Sequence, residues 1–97
     1  MPKAYWISCY RAVHDPAALA EYAKLAGPAI QQHGGRFIAR GGTVRTYESG
    51  VDQRTVVVEF DSAEQAIKAR ESEEYGAAMR ALGNAVERDF RIVEGVG

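Results

Sequence analysis

Ninety-seven residues, 46% of them hydrophobic and 26% charged, are enough for one small domain and exclude a second core. The formal charge of −1 excludes a generally basic nucleic-acid binder, and the single cysteine excludes a disulfide framework or a cysteine-rich metal site. No apolar run is long enough to span a bilayer, so no membrane partner is expected. Of the 45 hydrophobic residues, 16 are alanine and three are leucine, which limits what a lone core buries. A homodimer sharing a sheet face is therefore expected, against the simpler alternative of a small monomer. The start of the chain has no charged segment followed by an apolar one, and the lone thiol suits a reducing compartment. A cytoplasmic location is the expectation.

In chain order, residues 4–11 are rich in aromatic and β-branched side chains and predict a strand. Asp15-Pro16 then opens a helix, with Asp15 as its cap. Leu19, Tyr22, Ala23, Ala26, Ile30 and His33 share one helical face, Pro28 predicts a kink, and Gly34-Gly35 ends the helix. Residues 36–40 alternate as a second strand, and Gly41-Gly42 breaks it. Residues 43–53 read as a loop, with a short extended piece at 44–47. Residues 55–60 form the clearest strand. Ser62 with Gln65 forms a capping box, with Ala63, Ala66 and Ile67 as the buried stripe behind it. Ser72 caps a further short helix to Leu82, Gly83-Asn84 closes it, and residues 88–93 are the last strand. The order predicts an α+β fold, a four-stranded antiparallel sheet with helices on one face.

Strand alternation sorts the side chains into two faces. Ile7, Cys9, Phe37, Ala39, Val56, Val58, Phe60, Phe90 and Ile92 are assigned beneath the helices. Trp6, Ser8, Tyr10, Arg36, Ile38, Arg40, Thr55, Val57, Glu59, Asp89, Arg91 and Val93 are assigned to the other face. That second set is too aromatic for a solvated surface and too charged for a dry core. A face covered by a second subunit, with a polar cleft left between, accounts for both features. An exposed face with scattered large residues is the plainer alternative.

The segment Gly34-Gly35-Arg36-Phe37-Ile38-Ala39-Arg40-Gly41-Gly42 resembles the central motif of domain-of-unknown-function family 1330. Tyr5-Trp6-Ile7, Asp15-Pro16, Tyr22, residues 48–50, Arg54, Val57-Val58-Glu59-Phe60, Ser72 with Glu74-Tyr75, and Glu94-Gly95 extend the resemblance along nearly the whole chain. It implies a ferredoxin-like βαββαβ domain over residues 1–97, of the dimeric α/β-barrel kind in which two sheets face each other. It implies no activity; fold relatives include cofactor-free monooxygenases, isomerases and decarboxylases, by analogy only. The family often carries an aromatic pair where this chain has Ala69 and Arg70, and a proline where it has Glu73. If that pair lines a pocket, the pocket here is wider or more cationic.

Arg40 leads the candidates, because it lies beside glycines that permit close approach and a guanidinium grips a carboxylate with two bonds. Its structural alternative is an ion pair with Glu59. Glu59, flanked by Val58 and Phe60, is either a base with a raised pKa or a paired structural carboxylate. A cofactor-free enzyme would use Glu59 for proton transfer and Arg40 to stabilise an anion. Trp6, Ser8, Tyr10, Arg36, Arg40 and Tyr75 are the candidate ligand contacts, Tyr75 by its hydroxyl at the cleft mouth or else as a packing residue. His14 and His33 stand 19 residues apart with no ligand-spaced partner, so no metal is expected, and Cys9 reads as an inert core thiol. No phosphate loop or nucleophile elbow is present, and basic residues alternate with acidic ones. The expected function is cofactor-free binding of a small acidic or oxygenated metabolite, with turnover left open. A regulatory binding module and a purely structural dimer are the alternatives.

Overall fold

The computed structural model describes residues 2–97. Strand β1 (Ala4–Val13) runs into helix α1 (Pro16–Gln32), whose cap Asp15 accepts the backbone N–H groups of Ala17 and Ala18. The helix passes through Pro28 without a break. A proline pushes the residue before it out of the helical region mainly through that residue's Cβ, and Gly27 has none. Gly34, at φ +87°, turns the chain into β2 (Arg36–Arg40). Gly35 lets that turn press against the core, since an added Cβ would stand 2.5 Å from Ile30 and 2.8 Å from Phe60. Residues 41–54 form a loop, and the piece at 44–47 pairs with no strand.

Strand β3 (Thr55–Phe60) leads to α2 (Ala63–Arg70), α3 (Glu73–Leu82) and β4 (Val86–Glu94). Ser62 and Ser72 cap the two short helices, accepting the N–H groups of Gln65 and Tyr75. The capping box is one-sided: the Gln65 amide donates to the His33 carbonyl and ties α2 to the end of α1. Of the stripe expected on α2, Ala66 is buried and Ala63 packs against the core, while Ile67 is exposed and Ala69 is buried in its place. No helix among the described residues is long and apolar enough to cross a membrane.

The sheet is antiparallel with order β2-β3-β1-β4, the helices covering one face. The face assignment of β3 and β4 holds: Val58 and Phe60 are buried, and Val56, Phe90 and Ile92 pack against the same core. In β1 it is inverted. Ala4, Trp6, Ser8 and Tyr10 lie beneath the helices, while Ile7 is only half-buried and Cys9 is exposed on the open face. Both alternating sets of β1 are apolar, so alternation alone carries little bias between them. The helix-covered face takes the set with the largest ring, and the Trp6 indole N–H finds the Ala66 carbonyl of α2 at 2.9 Å.

In β2 the faces change partway. The pairing runs Arg36–Glu59, Phe37–Val58, Ala39–Val57, Arg40–Val56, with Ile38 the extra residue of a bulge. Ala39 therefore shares the open face with Val57, and Arg40 shares the helix side with Val56. Its guanidinium lies 4.1 Å from the centre of the Phe37 ring.

Candidate functional site

Between α1 and the inner face of the sheet lies a cavity of about 260 Å³. The open face also carries a pocket, lined by Cys9, Ala39, Thr55 and Asp89 beside the 42–51 loop, but most of the residues expected to share a cleft there lie in the inner one. Trp6, Ser8, Tyr10 and Arg40, all assigned to that face, line the inner cavity together with Arg54 and Arg88. The inversion of β1 and the bulge in β2 bring them there. The residues are gathered in one site, on the other side of the sheet.

Arg88 forms the floor. It is on β4 two residues before Phe90, and its cross-strand partner on β1 is Tyr10. Its Nη1 donates to Ser8 Oγ at 3.3 Å, Tyr10 Oη at 3.4 Å and Tyr22 Oη at 3.3 Å. Its Nη2 donates to Tyr75 Oη at 3.1 Å and to the Met79 sulfur at 3.3 Å. The rings of Tyr10, Tyr22 and Phe90 stand 5.0–5.7 Å from the guanidinium carbon. Burial works against the charge, but the tyrosine oxygens more than offset it and the guanidinium stays protonated. Every one of these partners is formally neutral.

Tyr22 and Tyr75 share a hydrogen bond of 2.6 Å between their hydroxyls. Burial, reinforced by Tyr75, holds the Tyr22 phenol well above its usual range, so it is a proton holder at neutral pH. Tyr75 is fully buried behind Tyr22 and does not reach the cavity, which corrects its expected place at the mouth. It acts on the site by fixing Tyr22 and Arg88.

Arg54 and Arg40 form the other end. Arg54 immediately precedes β3 on the inner side, and its Nε is buried without a hydrogen-bond partner. A buried donor left unmet costs about 1–3 kcal/mol, which marks a place where a partner belongs. One Arg54 terminal nitrogen lies 3.1 Å from where a Cβ on Gly41 would stand, so the guanidinium reaches the residue next to Arg40. Gly27 of α1 opens the roof above Arg40, whose Nη1 would lie 4.0 Å from a Cβ there. Among the described residues, none of the three arginines makes an ion pair, and no carboxylate lines the cavity.

The remaining candidates lie elsewhere. Glu59 and Arg36 are on the open face, joined at 3.0 Å, with Asp61 also at 3.0 Å from Arg36. The Arg36 bond holds the Asp61 carboxyl below its usual range. Glu59 is thus a paired structural carboxylate, bound by Arg36 rather than by Arg40, and the sheet separates it from Arg40. A division of labour between Glu59 as base and Arg40 as anion holder is not available in this geometry, and Arg36 is not a cavity contact. His14 pairs with Glu87 at 2.7 Å and His33 with Glu74 at 2.9 Å, both away from the cavity. Ala69 is buried among the helices, and Arg70 lies about 5 Å from the Tyr75 and Phe90 rings. Neither lines the cavity, so the departure from the family's aromatic pair does not widen it.

Arg88 and Arg54 are not among the candidates expected from the sequence. The signal was present: Arg88 has the alternation of Phe90 and Ile92, and Arg54 that of Val56 and Val58, so both are arginines at core-facing positions.

The sequence profile described as domain of unknown function DUF1330 matches residues 3–96. The chain belongs to this family. No curated protein matches the sequence. Solved structures share the fold at low identity. A protein of unknown function from Rhodopseudomonas palustris superposes with a TM-score of 0.76 at 15% identity, covering 99% of this chain and 84% of that one. SnoaB, a cofactor-independent oxygenase from Streptomyces nogalater, gives 0.68 at 11% identity, covering 100% and 96%. A NIPSNAP family protein of unknown function from Agrobacterium tumefaciens gives 0.57 at 14% identity, covering 97% and 88%. The DUF1330 chain thus has the ferredoxin-like α+β fold of these proteins, and the likeness extends to the fold alone.

Proposed function

We propose that this DUF1330 protein binds a small acidic metabolite in the cavity between α1 and the sheet. One observation carries the reading: three guanidiniums and no carboxylate line a single cavity of about 260 Å³. Arg54 and Arg88 are half-buried and Arg40 is exposed at the mouth, none of them is paired with a carboxylate, and an anionic ligand would supply that pairing. The lining supplies donors and aromatic walls. It holds no histidine, aspartate or glutamate to remove a proton. The site is therefore built to hold an anion. The Arg88–Tyr22 donors also suit an oxyanion that develops during reaction, which keeps turnover as a second reading.

A thermal-shift titration with small carboxylates tests the binding. The carboxylate should raise the melting temperature by an amount that grows with concentration, and its uncharged methyl ester should not. Arg40→Ala, at the exposed mouth, should weaken the effect roughly 10-fold or more, the range of a charged hydrogen bond. Equal shifts from acid and ester would reject the reading. Turnover is separated by incubating a stabilising acid with the protein in air and following its loss.

We also infer that the protein pairs with a second copy through the open face of the sheet. Ala39, Val57 and Ile7 run across the middle of that face on adjacent strands. Charged clusters flank them, Arg36 with Glu59 and Asp61 on one side and Asp89 with Arg11 and Arg91 on the other. An apolar centre with a charged rim is the layout of a protein interface. Light scattering at micromolar concentration should give twice the chain mass, and Val57→Lys should reduce it to one chain. A wild-type monomer under those conditions would contradict the pairing.

A further inference from the structure

We infer that the cavity selects a molecule with two acidic ends separated by a short apolar spacer. This rests on the reading of the cavity as an anion site and narrows its ligand class. Arg88 is on β4, Arg54 at the start of β3 and Arg40 on β2, and β1 separates β4 from β3. At about 4.8 Å per strand, the backbones of Arg88 and Arg54 stand about 10 Å apart and those of Arg88 and Arg40 about 14 Å apart. The positive charge is therefore divided between two ends. At one end Arg88 is held by the hydroxyls of Ser8, Tyr10, Tyr22 and Tyr75. At the other, Arg54 reaches the neighbour of Arg40 and leaves its own buried Nε unpartnered.

By register Tyr10 and Ser8 of β1 and Val56 of β3 lie across the sheet between the ends, and the rest of the lining beside them is largely apolar, with Trp6 and Val58 further along the strands and Ala23 and Ala26 of α1 on the helix side. A monoanion would satisfy one end and leave the other unpaired. A dianion with its charges apart satisfies both, and its spacer replaces water against apolar walls. At about 260 Å³ the cavity lies just under the ~300–1,000 Å³ common for ligand sites, which suits a compact molecule.

The test is calorimetric titration with the straight-chain α,ω-dicarboxylates from succinate to suberate, each beside its monomethyl ester. Affinity should peak at one chain length, and the diacid at that length should bind roughly 10-fold or more tightly than its monoester. In the double variant Arg40→Gln with Arg54→Gln, which leaves Arg88 and the core intact, that advantage should vanish while monoester binding persists. A circular dichroism melt confirms that the variant is folded. Diacid and monoester binding equally in the wild type, or affinity simply rising with chain length, would overturn the two-ended site while leaving the anion site standing. Failure of every acid to bind would overturn both.

Discussion

Trp6→Ala should destabilise the fold by about 3–5 kcal/mol, read as a lower urea midpoint at unchanged slope. Trp6 is 2% exposed, donates its indole N–H to the Ala66 carbonyl, and meets Phe60, Tyr75 and Phe90 with ring centres 5.0–5.2 Å away. Removing the ring leaves a cavity at the junction of β1 with α2 and α3, and loses the indole bond to that carbonyl. Domains of this size are stable by only about 5–15 kcal/mol, so a large share of the margin would go. The result also decides between two arrangements of β1. A loss below about 1 kcal/mol would put Trp6 on the open face, as strand alternation alone suggested.

Arg88→Met should have the opposite profile, little effect on the empty protein and a large one on binding. Arginine and methionine have similar reach, and the rings around Arg88 accept a thioether well. The substitution gives up five donor contacts but also removes a half-buried cation that has no carboxylate partner. These effects oppose each other, and the melting temperature without ligand should stay within a few degrees of wild type. With ligand the two proteins should part. A carboxylate at 100 times its dissociation constant stabilises the wild type by about 2.7 kcal/mol, and the variant should lose most of that. A variant that unfolds without ligand would make Arg88 a structural residue first. A variant with an undiminished ligand shift would remove Arg88 from the site.

The behaviour of these two residues also shows what the sequence can and cannot reveal. Element order, the caps at Asp15, Ser62 and Ser72, and the turn at Gly34 were legible because each rests on local chemistry. The inner faces of β3 and β4 were legible because their apolar residues alternate cleanly. Strand β1 was not, since Tyr5-Trp6-Ile7 and Cys9-Tyr10 are apolar at both alternations, and the choice between them was made by α2 and its Ala66 carbonyl, 60 residues away. The bulge at Ile38 was equally silent, and it alone moved Arg40 from the open face to the cavity. Trp6, Ser8, Tyr10 and Arg40 share one face as expected, but it is the inner one, reached through the phase of β1 and the bulge in β2. Glu59, on the cleanly alternating β3, stayed on the open face.

Binding in the inner cavity requires that its three arginines are the ones that meet an anion. The side-chain Nε–H resonances of a ¹⁵N-labelled sample report this residue by residue during titration with a small dicarboxylate. Those of Arg40, Arg54 and Arg88 should move together and saturate, Arg54 most, because its Nε–H gains its first partner. Those of Arg36 and Arg91, already bonded through Nε to Glu59 and Asp89 on the open face, should stay in place. Movement of Arg36 and Arg91 with Arg54 and Arg88 unchanged would contradict it.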